Sequence, residues 1–236
     1  MPGYTRRQLK EDKFADTAQG AALWATGHRQ TVILTVGLVI VAVLATAGVM
    51  TWRGHQTEQA NTELSAAMRT FETPIGPAAP AGGDAAPTFP TITDRAKAAE
   101  KQFGAVADKY SSVSPGRISR YMRGIALLQA GDKAGAEQEL KTAANFSDKD
   151  VAALAKMALA AMDRGANRTS DAIAIYKELA DHPTATVPKS QAQLELADIY
   201  ETTDPQQAML IYQQLQKDGP NSPAAQVASQ KLAKGK

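Results

Sequence analysis

Hydrophobic and polar positions follow a different pattern in each successive part of the chain, and the first pattern is a long apolar run. No charged residue lies between Arg29 and Arg53, which leaves an uncharged run of 23 residues. As an α-helix at about 1.5 Å per residue, this run would be about 34 Å long, enough to cross a hydrocarbon core of about 30 Å. The pattern therefore predicts one transmembrane helix over residues 30–53.

The residues around this run indicate whether the segment is cleaved as a signal peptide and how the helix is oriented in the membrane. Ala45-Thr-Ala47 is similar to a signal-peptide cleavage site, but the long polar lead-in and the continuation to Trp52 favour an uncleaved anchor. Residues 1–29 carry five Lys and Arg, whereas residues 53–93 carry two. By the positive-inside rule, residues 1–29 form a cytoplasmic tail. The chain is thus predicted to be single-pass in the inner membrane, with its C-terminal part periplasmic.

Residues 54–93 combine a weakly amphipathic stretch with a segment rich in helix breakers. Leu64, Met68 and Phe71 form a thin apolar stripe at helical spacing. Residues 73–93 then contain five Pro and three Gly, a density that no helix tolerates. We expect a helical stalk followed by a flexible Pro/Gly-rich linker that tethers the C-terminal domain.

Residues 94–236 show an internal repeat. Four segments share the form Ala-x3-large-x2-apolar, and their first alanines are 37, 36 and 36 residues apart. A second amphipathic helix precedes three of them, at 118–130, 151–162 and 191–200, and a closing helix follows at 222–234. Breaks are expected at 114–116, 146–148, 182–183 and 219–220. The first alanines are Ala99, Ala136, Ala172 and Ala208.

This pattern resembles the tetratricopeptide repeat family, in which a small residue lies about 12 positions before the alanine of the second helix. The resemblance covers roughly 140 residues and departs from the family at Asp148, where a proline is expected. It implies an all-α fold with a C-terminal α-solenoid, and a plain helical bundle is the alternative. The repeat-packing residues that it implies are Ala99, Phe103, Gly124, Ala136, Leu140, Ala160, Ala172, Tyr176, Ala197, Ala208, Tyr212 and Pro220.

The amino-acid composition excludes several kinds of chemical site and several classes of function. The chain lacks Cys, which excludes disulfides, thiolate metal sites and a lipidated cysteine. A net charge of +2 argues against nucleic-acid binding. Phosphate-binding, zinc-protease and hydrolase motifs are missing. We therefore expect no enzyme, cofactor, metal or small-molecule substrate.

One basic cluster, Arg117, Arg120 and Arg123, lies along one side of a first helix. First helices line the concave surface of such solenoids. The cluster is therefore either an ordinary solvated face or a contact for an acidic protein partner.

The complete layout resembles the ancillary subunits of the SecYEG translocon, which have a short cytoplasmic tail, one N-terminal span and a periplasmic tetratricopeptide-like domain. The resemblance implies a membrane-tethered scaffold that works beside the export channel and periplasmic chaperones. Two alternatives remain open. One is a scaffold for envelope assembly or cell division, and the other is a cytosol-facing transport receptor with reversed topology.

Overall fold

The computed structural model describes residues 27–76 and 88–234, and within these ranges the chain is almost entirely helical. Contacts divide the chain into two compact units, Met1–His55 and Gln56–Lys236. The described residues contain no β-strand, only an isolated parallel bridge between Ile75 and Phe89. The helices are α1 (Arg29–Glu72), α2 (Ile92–Lys109), α3 (Ser114–Ala130), α4 (Lys133–Ala144), α5 (Lys149–Gly165), α6 (Thr169–Asp181), α7 (Lys189–Thr203), α8 (Pro205–Asp218) and α9 (Pro223–Lys234).

The first unit contains the apolar part of α1, which is long and apolar enough to cross a membrane. The large hydrophobic side chains that the structure describes here, such as Leu34, Val39 and Met50, are exposed. The hydroxyls of Thr35, Thr46 and Thr51 each donate to a backbone carbonyl four residues earlier, at 2.9, 3.0 and 3.1 Å. This bonding satisfies the hydroxyl groups of these three threonines within the helix, as an apolar solvent would require. Most of the predicted tail, residues 1–26, lies outside the described residues.

The second unit is a stack of antiparallel helix pairs, and α9 packs at the C-terminal end of this stack. Each helix from α2 onward packs against the next, and the first helices α3 and α5 also touch each other. More than half of the buried core residues are alanines, with large rings such as Phe103 and Tyr176 between them. Small side chains permit close helix approach, and the rings fill the remaining space. The predicted all-α repeat fold is thereby confirmed.

Residues 56–72 belong to this stack. The sequence pattern predicts a stalk here, yet the C-terminal half of α1 packs on α2 as the first helix of the first pair. Ala60 and Ala67 are fully buried, and Phe71 meets Phe103 edge to face, with ring centroids 5.9 Å apart. The apolar stripe of Leu64, Met68 and Phe71 is only part of the buried face. Ala60 and Ala67 also lie on this face, and their small side chains do not stand out in the hydrophobic pattern.

The Pro/Gly-rich stretch is consequently a connection within the first pair, between α1 and α2, and not a tether ahead of the domain. The Gly76 N–H donates to the Phe89 carbonyl at 3.0 Å, and the Phe89 N–H donates to the Pro74 carbonyl at 3.1 Å. These bonds hold the two ends of the connection together. Its middle, residues 77–87, lies outside the described residues.

Helix starts follow local capping chemistry. The Asp148 side chain accepts from the Val151 N–H, which explains an aspartate where the family pattern expects a proline. Asp204 caps α8 in the same way, with Pro205 in the first turn. At the expected break 114–116 the chain is helical instead, because Pro115 needs no N–H partner in the first turn of α3.

Candidate protein-binding surface

Two of the predicted basic residues lie between helices and are ion-paired. Arg123 contacts Glu100 of α2 at 2.7 Å through Nε and Glu139 of α4 at 3.0 Å through Nη1. Arg120 contacts Asp108 of α2 at 2.8 Å and Glu139 at 3.4 Å. The two guanidinium groups therefore connect the three helices α2, α3 and α4.

The charges of these arginines are neutralised within the stack. Burial by itself would lower the pKa of Arg123, but the hydrogen bond to Glu100 and the charges of Glu139 and Glu100 outweigh it and raise the pKa. The shared Glu139 side chain is only 14% exposed. Both guanidinium groups are thus already paired with carboxylates of the stack before any acidic partner binds.

Arg117 differs from the other two arginines. It is half-buried, and its Nε has no hydrogen-bond partner among the residues that the structure describes. A contact between Arg117 and an acidic partner stays a prediction.

Most of the predicted repeat-packing residues lie in the core of the stack. All of them are buried apart from Pro220, which is exposed in the turn after α8. A Cβ on Gly124 would lie 2.7 Å from Cγ of Leu140, so a larger residue here would require the Leu140 side chain to move. The spacing of 12 residues between Gly124 and Ala136 therefore reflects direct contact between the two helices of a pair.

A cavity of about 460 Å³ opens between α3, α4 and α5, and no sequence motif pointed to it. Its apolar wall includes Ile125 and Leu128 of α3 and Met162 of α5. The space exists because α5 presents the small residues Ala158 and Ala161 on this side. Such a recess, with an apolar wall and a charged rim, suits a bulky apolar side chain from another protein. The sequence signal that could have indicated it is the run of small residues on one face of α5.

The rim of the cavity carries charges of both signs. Arg168 contacts Asp163 at 2.6 Å and Glu137 at 3.7 Å. A hydrogen bond from Lys141 is the main cause that lowers the pKa of Glu137. The remaining rim cation, Lys133, is exposed and has no ion pair within residues 27–76 and 88–234. It is therefore the rim charge that is available to an incoming carboxylate.

A family model described as a tetratricopeptide repeat-like domain matches residues 28–182. The chain belongs to this tetratricopeptide repeat-like family. The match runs from the start of the apolar helix to the end of α6, and α7 to α9 continue the same pattern beyond it. No curated protein and no solved structure matches the chain. The predicted resemblance to the tetratricopeptide repeat family is thereby confirmed.

Membership of the tetratricopeptide repeat-like family indicates a general type of function. Domains of this family are typically non-catalytic scaffolds that mediate protein–protein interactions. Among the described residues, no group of three or more His, Asp or Glu side chains is placed to hold a metal ion. The family and the geometry both favour a protein-binding surface as the functional site.

Proposed function

We propose that this protein is a membrane-tethered scaffold that binds other proteins at the extracytoplasmic face of the inner membrane, beside the Sec translocon and periplasmic chaperones. The observation that carries the proposal is the presence, in one chain, of a helix apolar enough to cross a membrane and of a tetratricopeptide repeat-like domain. The resemblance to ancillary SecYEG subunits and the charge bias around the run support the choice of partner and face.

The cavity between α3, α4 and α5 supplies the binding mode. A partner segment would insert one bulky apolar side chain against Ile125 and Met162 and place a carboxylate near Lys133. A single anchor of this kind gives weak affinity. The membrane tether compensates, because it holds the domain at high effective concentration beside other membrane proteins.

The topology can be tested with protease added to intact spheroplasts. We expect protease to degrade the repeat domain while a cytoplasmic control protein stays intact, because the charge bias predicts translocation of everything after the span. Immunoblotting with an antibody against the C-terminal helices measures the loss. Protection of the domain until the membrane is lysed would refute the extracytoplasmic placement and favour the cytosol-facing receptor.

The partner class can be tested with a photo-crosslinking residue in place of Ala161, which is exposed on the cavity wall. We expect adducts with translocon subunits or periplasmic chaperones, identified by mass spectrometry. The matched control is the same residue in place of Ala174, which is exposed on α6 outside the cavity. Equal adducts at both positions would contradict the cavity as the binding site. Adducts only with envelope-assembly or division proteins would refute the translocon assignment.

A further inference from the structure

The junctions between successive first helices of the stack differ at one pair of positions. The first position lies four residues after the small packing residue of a first helix, and the second directly precedes a leucine that the next first helix packs into the core. We name the junctions α3–α5, α5–α7 and α7–α9, and α9 belongs to the series because it packs on α8 and touches α7. In this order, the first position is Leu128, Arg164 and Glu201, and the second is Ala158, Glu195 and Lys231.

Two of the three junctions carry an ion pair at these positions. In the α5–α7 junction, Arg164 contacts Glu195 at 3.4 Å. In the α7–α9 junction, Lys231 contacts Glu201 at 3.0 Å, with the signs of the charges reversed. The same two positions of successive first helices thus face each other along the stack.

The α3–α5 junction has an apolar pair instead. Leu128 and Ala158 both line the cavity of about 460 Å³ beside Lys133. Because neither of the two side chains is charged, an apolar group can contact both without removing water from an ion pair. At the other two junctions the same contact would strip water from paired charges, which costs free energy. The pair of positions therefore favours the α3–α5 junction for an apolar ligand.

The α7–α9 junction shows that open space alone does not make two junctions alike. A groove of about 860 Å³ opens there beside Met209, and both members of the ion pair, Glu201 and Lys231, line it. Met209 has the position in α8 that Glu137 has in α4, directly after the repeat alanine. The groove and the cavity are thus equivalent in position, but the groove has charges where the cavity has Leu128 and Ala158.

The α5–α7 junction indicates which side chain fits such a recess. Ile173 of α6 has the position of Glu137 in α4, and it packs against the cluster that includes Leu196 and Ile199 of α7. In α4 this position carries Glu137, whose carboxylate contacts Lys141 of the same helix at 2.8 Å. The cavity therefore lacks the branched aliphatic side chain that the next repeat supplies from its own second helix.

We propose that Leu128 and Ala158 restrict partner binding to the α3–α5 junction, where the partner inserts a branched aliphatic side chain and places an adjoining carboxylate near Lys133. The inference rests on the proposed function, since the cavity is the same, and it adds the residues that determine specificity and the side chain that is recognised. Of the three junctions, one anchors the partner, and the ion pairs of the other two exclude it.

The probe for this proposal is N-acetyl-isoleucine, which combines a branched aliphatic side chain with one carboxylate. It is titrated into the full-length protein in nanodiscs, with isotope-labelled methionine methyl groups. The NMR resonance of Met162 reports on the cavity, and that of Met209 reports on the α7–α9 groove. We expect a saturable shift of the Met162 resonance and none of the Met209 resonance, with Met162→Leu and Met209→Leu to assign them. Shifts of both resonances, or no shift of Met162, would overturn the proposal.

Variants of the protein test the pair of positions directly. Leu128→Arg combined with Ala158→Glu transfers the ion pair of the α5–α7 junction, and we expect it to weaken probe binding at least about tenfold. Ala158→Leu fills the cavity without a charge and should weaken binding by a similar factor. Both positions are partly exposed, and circular dichroism reports whether the fold persists.

The matched control is Ser170→Arg combined with Ala174→Glu, which adds the same two charges on the exposed side of α6. This protein should bind the probe like the parent. Probe binding that neither cavity variant weakens would overturn the proposal.

Failure of this inference and failure of the proposed function give different results. If the probe binds as expected but a crosslinker in place of Ala161 gives no more adducts than one in place of Ala174, the cavity has the stated specificity and the proposed partners are wrong. If adducts specific to position 161 persist after Leu128→Arg and Ala158→Glu, the partner binds there and the role of this pair of positions is refuted.

Discussion

A fragment of residues 88–236 is expected to be much less stable than one of residues 56–236, although both contain every helix from α2 onward. Removal of 56–72 uncovers Phe103 and Val106 of α2 and also eliminates the packing of Leu64 and Phe71. Burial of one large apolar side chain contributes about 1.5–3 kcal/mol. The loss is therefore on the order of 5 kcal/mol, which is comparable with the whole stability of many domains.

Polar contacts add to this difference. Glu63 of α1 accepts hydrogen bonds from Lys109 and from the Tyr110 hydroxyl, both at 2.7 Å. These bonds lower the pKa of Glu63. Thr70 donates to Gln102 at 2.9 Å. Residues 88–236 keep Thr91, the cap of α2, so the loss comes from α1 and not from a frayed helix start.

The measurement is urea unfolding of both fragments, followed by circular dichroism. Within residues 56–236, Phe71→Ala should reproduce part of the loss, and Ser65→Ala, on the exposed side of α1, should change little. Equal unfolding midpoints for the two fragments would show that residues 56–72 are only a stalk.

Gly116→Ala is the point substitution with the largest expected effect. A Cβ at this position would lie 1.9 Å from the carbonyl oxygen of Tyr110 and 2.4 Å from its carbonyl carbon. These are backbone atoms of the α2–α3 turn, where the same oxygen accepts from the Val113 N–H at 3.2 Å. They cannot rotate away as a side chain can, so α3 and the turn must move apart. We expect a loss of about 3 kcal/mol, at the upper end of the usual cost of overpacking.

The matched control is Gly165→Ala, at the last helical residue of α5. No atom lies within 4 Å of a Cβ at Gly165. Alanine is favoured over glycine in a helix by about 0.5–1 kcal/mol, so this variant should be as stable as the parent or slightly more stable. Urea unfolding of both variants measures the contrast. A Gly116→Ala protein as stable as the parent would contradict the close approach of α2 and α3.

The periodic part of the fold could be predicted from the sequence because the same local sequence features recur in each repeat. Alanines at a nearly constant spacing mark the second helices, and Asp204 before Pro205 marks a helix start by capping chemistry alone. The apolar run of 23 residues is equally local, since length and hydropathy suffice to indicate a possible span. These features depend on residues close together in the chain, and they required no knowledge of the partner helix.

The sequence by itself thus determined the all-α repeat fold, the helix pairs after Ser114 and the apolar helix that could cross a membrane. Only the tertiary structure decided that residues 56–72 form the first helix of the stack, because Ala60 and Ala67 are recognisable as core residues only from their packing on α2. It also decided that Arg120 and Arg123 are ion-paired inside the stack, and where the cavity and groove open. The physical reason is common to all of these: ion pairs and recesses depend on residues from different helices, and spacing along one helix does not specify its neighbours.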